Sequence, residues 1–298
     1  MSNVSRNFES VKGYLICPVC GSSFDVREQK SLVCEKNHCF DFAAKGYVNF
    51  IPNQKQVSDN YSKKLFESRA AVFESGAYDK VLETLSHLLS NNDFLISRCE
   101  NAGGVSNRSK TNLLDVGCGE GYYAAKLSER EDINVFAIDI IKEAILASCK
   151  RKTSVKWMVA DLTNIPMKDN SVDILLNILT SANYQEFSRV MSADGIIIKV
   201  IPGDEYLKEI RALLKPQLRN KEYSNESVVE HLEKHVNVLK LQEIHYEFPV
   251  DEYLTELFVQ MTPLASGVET QGLDFTKILS VTINLNVVIG KIKPEVMR

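Results

Sequence analysis

No stretch of the 298 residues reaches the roughly 18 consecutive apolar positions that a membrane-spanning helix requires. A secretory signal is missing as well, because the segment from Met1 to Phe8 has one arginine and no apolar core. These two absences predict a cytoplasmic protein without a membrane partner. Neither an internal repeat nor a low-complexity tract occurs. Hydrophobic residues make up 44% and charged residues 25%, the composition of a folded globular protein rather than a disordered one. At roughly 150 residues per domain, the length corresponds to about two domains.

Excess charge of one sign is also scarce. The formal net charge is −4, from 35 basic and 39 acidic residues, which argues against nucleic-acid binding through bulk attraction. The balance is uneven along the chain. Residues 1–80 carry 11 Lys and Arg against 9 Asp and Glu, whereas residues 81–298 carry 24 against 30. A mildly basic N-terminal segment therefore precedes a larger acidic body.

Seven cysteines is an odd count, and four of them fall between positions 17 and 39. In a cytoplasmic chain this clustering points to metal ligation before disulfides. Cys17 and Cys20, then Cys34 and His38, give the spacing C-x2-C-x13-C-x3-H. Three thiolates and one imidazole complete a tetrahedral zinc site with no open position, so the metal is expected to be structural. About forty residues bury too little apolar surface to fold alone, and the ion would supply that folding energy. The competing reading is four reduced cysteines that lie close by coincidence. Cys39, next to His38, is the alternative fourth ligand, although the x3 spacing favours His38. Cys99 and Cys149 have no partner at ligand spacing.

Apolar periodicity divides the rest of the chain. Leu65, Phe66, Ala70, Val72 and Phe73, then Val81, Leu82, Leu85, Leu88 and Leu89, recur at helical spacing, with Gly76 between the two groups. Residues 97–110 read as a loop. Beyond Thr111 short apolar runs alternate with helical patterns. Strands are expected at 113–117, 134–139, 155–160, 171–177 and 195–200. Helices are expected near 120–130, 141–151, 185–192 and 204–215. A helix (224–235), a strand (238–248), a helix (251–260) and a last strand (281–290) follow. This alternation predicts a Rossmann-like, doubly wound, mostly parallel sheet whose last strand is antiparallel. The expected division is a zinc-binding domain (1–52), a helical connector and linker (53–110) and an α/β domain (111–298).

The run Leu113 to Gly121 is a strand entering a glycine turn that opens a helix. Asp115, Gly117, Cys118, Gly119, Gly121 and Tyr122 are its candidate cofactor-binding residues. The spacing is G-x-G-x-G rather than the dinucleotide G-x-G-x-x-G, and Glu120 would repel a pyrophosphate at the helix N-terminus. The loop thus suits a cationic cofactor without phosphates, such as S-adenosylmethionine. Asp139, with Ile140, ends the next strand where a carboxylate can accept ribose hydroxyls, and Asp161, with Leu162, closes the third strand within reach of an adenine amino group. Taken alone, each acid reads more readily as a turn or helix-cap residue, but three acids at successive strand ends after a glycine turn are hard to dismiss.

LLDVGCGEGYY, AIDI and VADL resemble the class I S-adenosylmethionine-dependent methyltransferases. CPVCGSSF, CEKNHCFDFAAKGYVNF, FESRAAVFESGAY, IKVIPGDEYLKEIR and QMTPL extend the likeness from Cys17 to Gly290. Together they resemble the RlmA-type 23S rRNA (guanine-N1)-methyltransferases, and most closely the Gram-positive branch associated with tylosin-type macrolide resistance. The resemblance implies methylation of guanine N1 in a domain II hairpin of 23S rRNA, by a homodimer whose two zinc domains help grip the RNA, with no DNA partner. One departure is at Ser181, where relatives commonly carry proline.

Guanine N1 carries a proton that must leave before its lone pair attacks the methyl group. Asn177 and Asn183, on the loop after the fourth strand, are candidates to bond the guanine edge, Asn177 also lying beside the cofactor. Tyr184 is a candidate to stack on the base, while Asn183 is equally a helix cap with Tyr184 packed behind it. No Pro-Cys pair occurs in this loop, which disfavours covalent pyrimidine methylation. A small-molecule methyltransferase and a non-catalytic RNA-binding module are the alternatives. RNA binding should weaken steeply with salt, whereas small-molecule binding should not.

Overall fold

The computed structural model describes residues 3–51, 62–90, 110–217, 224–262, 265, 268–270 and 272–293. Cys99, Lys55 and the loop expected over 97–110, apart from Lys110, lie outside them. Helix α1 (Asn3–Glu9) leads into a small antiparallel sheet of β1 (Phe24–Arg27), β2 (Ser31–Cys34) and β3 (Cys39–Asp41). The two amphipathic patterns become α2 (Lys63–Glu74) and α3 (Asp79–Ser90), the first capped by the Ser62 side chain, which accepts from Leu65 N.

The alternating runs form β5 (Thr111–Val116), α4 (Tyr122–Leu127), β6 (Ile133–Asp139), α5 (Lys142–Ser148) and β7 (Lys156–Val159). They continue as β8 (Val172–Ile178), α6 (Tyr184–Val190), β9 (Met191–Pro202) and α7 (Lys208–Leu214). Helix α8 (Glu226–His235), strand β10 (Val236–Pro249), helix α9 (Glu252–Met261) and strand β11 (Ser280–Ile292) complete the chain. Each expected strand and helix beyond Thr111 is present, with ends displaced by a few residues. The fifth strand runs longest past its expectation because Met191–Asp194 continues directly from α6.

None of the strands before Thr111 was expected, and one of them joins the large sheet. Residues Tyr47–Asn49 form β4, which pairs in parallel with β7 at the sheet edge. The resulting eight-stranded order is β10-β11-β9-β8-β5-β6-β7-β4. All neighbours from β9 to β4 are parallel, and β11 is antiparallel to both β9 and β10. The strand order reverses beside β5, which places a ligand cleft at the carboxyl ends of β5 and its neighbours.

Period-two alternation sends successive side chains to opposite faces. Leu113, Val135, Ala137, Trp157, Ile174 and Ile198 pack under α2, α3, α4, α7 and α9. Leu114, Val116, Phe136, Ile138, Met158 and Ile197 pack on the other face. There the N-terminal unit shares the cover with α6 and α8. Phe8, Val11, Leu15, Phe24, Leu32, Phe40, Val48 and Phe50 belong to the same core as the strands. Leu15 forms an antiparallel bridge to Met167, and Tyr14 O accepts from Lys168 N at 2.9 Å.

The N-terminal unit and the large sheet should therefore unfold together. Trp157 is the only tryptophan and pairs in register with Tyr47, so its fluorescence reports on the β4–β7 edge. Leu15→Ala, in the fully buried bridge, should lower the urea stability read by Trp157 by about 2–5 kcal/mol. An unmoved Trp157 midpoint would mean that the N-terminal unit melts on its own.

Candidate active site

The carboxyl ends of β5 to β9 open into a cleft of about 810 Å³, within the roughly 300–1,000 Å³ range of small-molecule sites. The glycine turn shapes one end of it. Gly117 has φ +73°, and a Cβ there would lie 2.6 Å from Thr180 Oγ1. Gly121 has φ +78°, and its Cβ would lie 2.5 Å from the Trp157 ring. Only glycine meets both the left-handed backbone and these close approaches. Gly117 thus borders the cleft, whereas Gly121 lets α4 settle against β7 and α5.

Three acids surround this turn. Asp139 Oδ2 accepts from Gly119 N at 2.9 Å and Oδ1 accepts from Ile141 N at 2.8 Å. Burial pushes its pKa up, and those backbone donors and the Arg69 charge pull it back. Asp115, fully enclosed, is pushed up to about 8 by burial and then by the charges of Glu120 and Asp139. Glu120 is also buried and pushed up, but Arg69 and Arg151 lie at 3.8 and 3.9 Å and restrain it. Its carboxylate is thus paired with two arginines, contrary to the free repulsive charge expected at the helix N-terminus. A cationic ligand fits this end of the cleft because it relieves repulsion among buried acids.

The opposite wall comes from β8, β9, α6 and α8. Lys199 and Asn177 are register partners on adjacent parallel strands. Lys199 Nζ donates to Asn177 Oδ1 and, at 3.1 Å, to Thr180 O. Asn177 Nδ2 in turn donates to Ser181 O at 2.9 Å. Burial pushes Lys199 down to about 8. Tyr184 lies in the wall with its ring stacked on His235, centroids 5.0 Å apart and planes 9° from parallel. Its buried hydroxyl has no hydrogen-bond partner among the described residues. His231, largely exposed on α8, also borders the cleft, and its slight burial and the neighbouring charges of His235 and Lys199 lower its pKa.

A second constellation lies in the N-terminal unit. The donor atoms of Cys17, Cys20, Cys34 and His38 all fall within 4.8 Å of one another. Cys20 Sγ is 3.7 Å from Cys34 Sγ, and His38 Nδ1 is 3.3 Å from Cys34 Sγ and 3.6 Å from Cys17 Sγ. A zinc tetrahedron with bonds of about 2.0–2.3 Å has edges of about 3.5–3.8 Å, so the four donors fit one ion. Burial pushes Cys17 up to about 11, while hydrogen bonds from Ser22 hold Cys20 down at about 6. A cation is what would make all three thiols ligating thiolates. Cys39 is exposed and its thiol points to Asp41 at 3.8 Å, which leaves His38 as the fourth donor. The knuckle touches the cleft edge, since Asn164 Nδ2 donates to Pro18 O at 3.0 Å from the loop that begins with Asp161 and Leu162.

Residues 15–59 match the zinc-ribbon family described as RlmA, N-terminal, and residues 114–198 match the family described as Methyltransferase domain. A Bacillus subtilis (strain 168) protein whose name includes 23S rRNA (guanine-N(1)-)-methyltransferase YxjB is 31% identical over 92% of this chain and 95% of its own. The Streptomyces fradiae 23S rRNA (guanine(748)-N(1))-methyltransferase is 25% identical over 86% of each chain. The chain belongs to the RlmA-type methyltransferase family.

Within this RlmA-type chain the expected site residues fall into three groups. Gly117, Asp139, Ile140, Asp161, Leu162 and Tyr184 line the cleft. Asp115, Cys118, Gly119 and Asn177 lie behind its lining. Cys118 and Gly119 build the turn, and Asn177 is fully buried under Lys199. Gly121, Tyr122 and Asn183 are engaged elsewhere. Tyr122 is buried among aromatic rings and its hydroxyl donates to Asp79 Oδ1 at 2.6 Å. Asn183 Oδ1 accepts from Glu186 N at 3.1 Å as the cap of α6. Lys199 lines the cleft without having been expected there, and Arg69, one of the basic residues of the N-terminal segment suited to RNA phosphates, lines it too. A lone lysine inside the apolar run Ile196–Ile201 was the signal available for the first.

Metal analysis of protein purified without chelator should find about one zinc per chain. Cys34→Ser should lower that content well below half an equivalent, and unchanged content would remove Cys34 from the ligand set.

A pH effect follows from Asp115. The ordinary carboxylate value is 3.8, and burial raises the folded value to about 8, so the folded chain holds a proton that the unfolded chain has released. This contribution is complete below about pH 4 and is lost as pH rises to about 8, at roughly 1.4 kcal/mol per pH unit. Urea stability of the ligand-free chain should fall across this window, and more gently in Asp115→Asn. Parallel slopes for parent and variant would show that Asp115 is ionised throughout.

Proposed function

We propose that this protein transfers a methyl group from S-adenosylmethionine to N1 of a guanine in a domain II hairpin of 23S rRNA. The names of relatives that align over nearly the whole chain support the reaction. The observation that carries the reading is the contact between the Cys/His knuckle and the loop bearing Asp161 and Leu162. RNA held on the knuckle then lies beside a cleft with room for a nucleobase next to the cofactor.

Bound S-adenosylmethionine supplies an electrophilic methyl group on a sulfonium. The glycine turn would leave space for its amino-acid part near Asp115, Asp139 would accept ribose hydroxyls through its remaining lone pairs, and Asp161 would hold the adenine amino group. The loop from Leu179 to Asn183 must hold a guanine drawn out of its stack, with N1 in line with the methyl carbon. Leu179 sits at φ +52°, held by Leu179 N donating to Val200 O at 3.0 Å, so this loop is built to one shape.

The grip on RNA is local rather than global. Lys30, Lys36 and Lys45 are exposed on the knuckle, whereas Phe24, Phe40 and Phe50 pack into its small core with centroids 5.0–5.9 Å apart. A homodimer that places two knuckles on one hairpin belongs to the same reading. Exposed Val238 and Leu241 on the edge strand β10 are consistent with a protein contact there.

Incubation with 23S rRNA and S-adenosylmethionine, followed by nucleoside mass spectrometry, should yield 1-methylguanosine and a reverse-transcription stop in domain II. Hairpin affinity should fall steeply with salt. A methyl group on another base, or salt-independent turnover of a small molecule, would replace this reading.

A further inference from the structure

Guanine N1 is protonated at neutral pH, and its methylation needs a group that accepts that proton. Lys199 is the only lysine among the described residues that line the cleft. It stands at the carboxyl end of β9, in register with Asn177 on β8, where the loop from Leu179 to Asn183 begins. Its amine nitrogen has four tetrahedral directions. One is the bond to Cε, and two are taken by Asn177 Oδ1 and Thr180 O. The fourth has no partner among the described residues, and Lys199 lines the cleft. An uncharged amine has two N–H groups and one lone pair, which matches two acceptors and one open direction.

We propose that Lys199 is the proton acceptor for guanine N1, which makes it a catalytic residue of the transfer. The proposal rests on the guanine-N1 reading above. The N1–H bond breaks toward the Lys199 nitrogen, which becomes an ammonium. The freed N1 pair forms the new bond to the methyl carbon. The carbon–sulfur bond breaks with its pair going to sulfur, leaving a neutral thioether. One positive charge enters on the sulfonium and one remains on Lys199, to be lost to solvent as a proton.

Other groups face the same space. Arg69 comes from α2, Tyr184 from α6, His231 from α8, Tyr206 from the turn before α7, and Asp139 and Asp161 from the ends of β6 and β7. Burial raises the phenols of Tyr184 and Tyr206, so neither is a ready acceptor in ionised form. His231 is exposed on α8, and Asp139 already accepts two backbone N–H groups. Burial alone pushes Lys199 down to about 8, so a useful fraction is uncharged near neutral pH.

The test compares Lys199→Met and Lys199→Arg with the parent in single-turnover methylation of the 23S hairpin. Affinities for S-adenosylmethionine and RNA are measured alongside. Loss of a general base should lower the transfer rate by about 10²–10⁴-fold in both variants, with both affinities held within about threefold. The parent rate should rise with pH and level off near pH 8, because the acceptor must be uncharged, and the methionine variant should lose that limb. Without turnover, acetylation of Lys199 by acetic anhydride in the cofactor-bound parent, read by peptide mass spectrometry, should titrate at or below about pH 8.

Parent-like rates in either variant, an unchanged pH profile in the methionine variant, or titration near the ordinary value of about 10.4 would each overturn the proposal. Loss of cofactor or RNA affinity by about tenfold or more in both variants would also overturn it, by making Lys199 structural. Absence of 1-methylguanosine with the parent would instead remove the guanine-N1 reading itself.

Discussion

The carboxylate of Asp139 ties together the two strand ends on which the rest of the site depends. By accepting from Gly119 N and Ile141 N, it fixes the glycine turn after β5 against the first residues after β6. Charge-assisted hydrogen bonds of this kind are worth about 1.5–3 kcal/mol each, enough to hold a turn whose glycines carry positive φ. That turn then sets the distance between Gly117 and Thr180, and so the width of the cleft between the cofactor end and the loop after β8. A carboxylate placed here serves folding before it serves any ligand. Its remaining lone pairs are what a ribose would use.

The second constraint is the uncovered sheet face. A mostly parallel sheet needs cover on both sides. Here the N-terminal unit supplies part of that cover instead of another helix. Its strand β4 completes the edge beside β7, and its aromatic side chains enter the same core as Phe136 and Met158. A Cys/His knuckle of this size has little core of its own, so the sheet stabilises it and a metal on the four donors would add to that. The arrangement also has a functional consequence. The knuckle cannot drift away from the cleft, because Ile16, Tyr14 and Pro18 hydrogen-bond to the segment between Asn164 and Lys168.

Much of this was legible from the amino acids. Strands β5 to β9 announce themselves because each is a short apolar run bounded by polar turns. The four metal donors are legible because their spacing has few other uses. Local pattern did not reveal β4, since a three-residue strand gains its identity only from its partner β7. It also assigned Tyr122 to the cofactor through its closeness in sequence to Gly121. The helix instead turns that ring toward Phe73 and Asp79, away from the cleft. Asn183 shows the same limit in reverse, because a preferred cap residue beside a candidate pocket was used as a cap.

Charge gives these features a common logic. At one end of the cleft Asp115 and Asp139 are buried acids, and burial raises both. At the other end Lys199 is a buried base, and burial lowers it. Burial thus pushes Asp115 and Lys199 toward their neutral forms, whereas the two backbone donors to Asp139 favour its carboxylate. A sulfonium entering at the acid end would favour ionised carboxylates there while disfavouring an ammonium on Lys199. On the proposed reading, cofactor binding thus prepares both ends for transfer. It steadies the acids that hold the cofactor and frees the amine that receives the proton. When the methyl group leaves, the cation at the acid end disappears and an ammonium at the lysine end becomes tolerable. The same burial that makes each group unfavourable alone therefore makes the exchange of one positive charge across the cleft favourable.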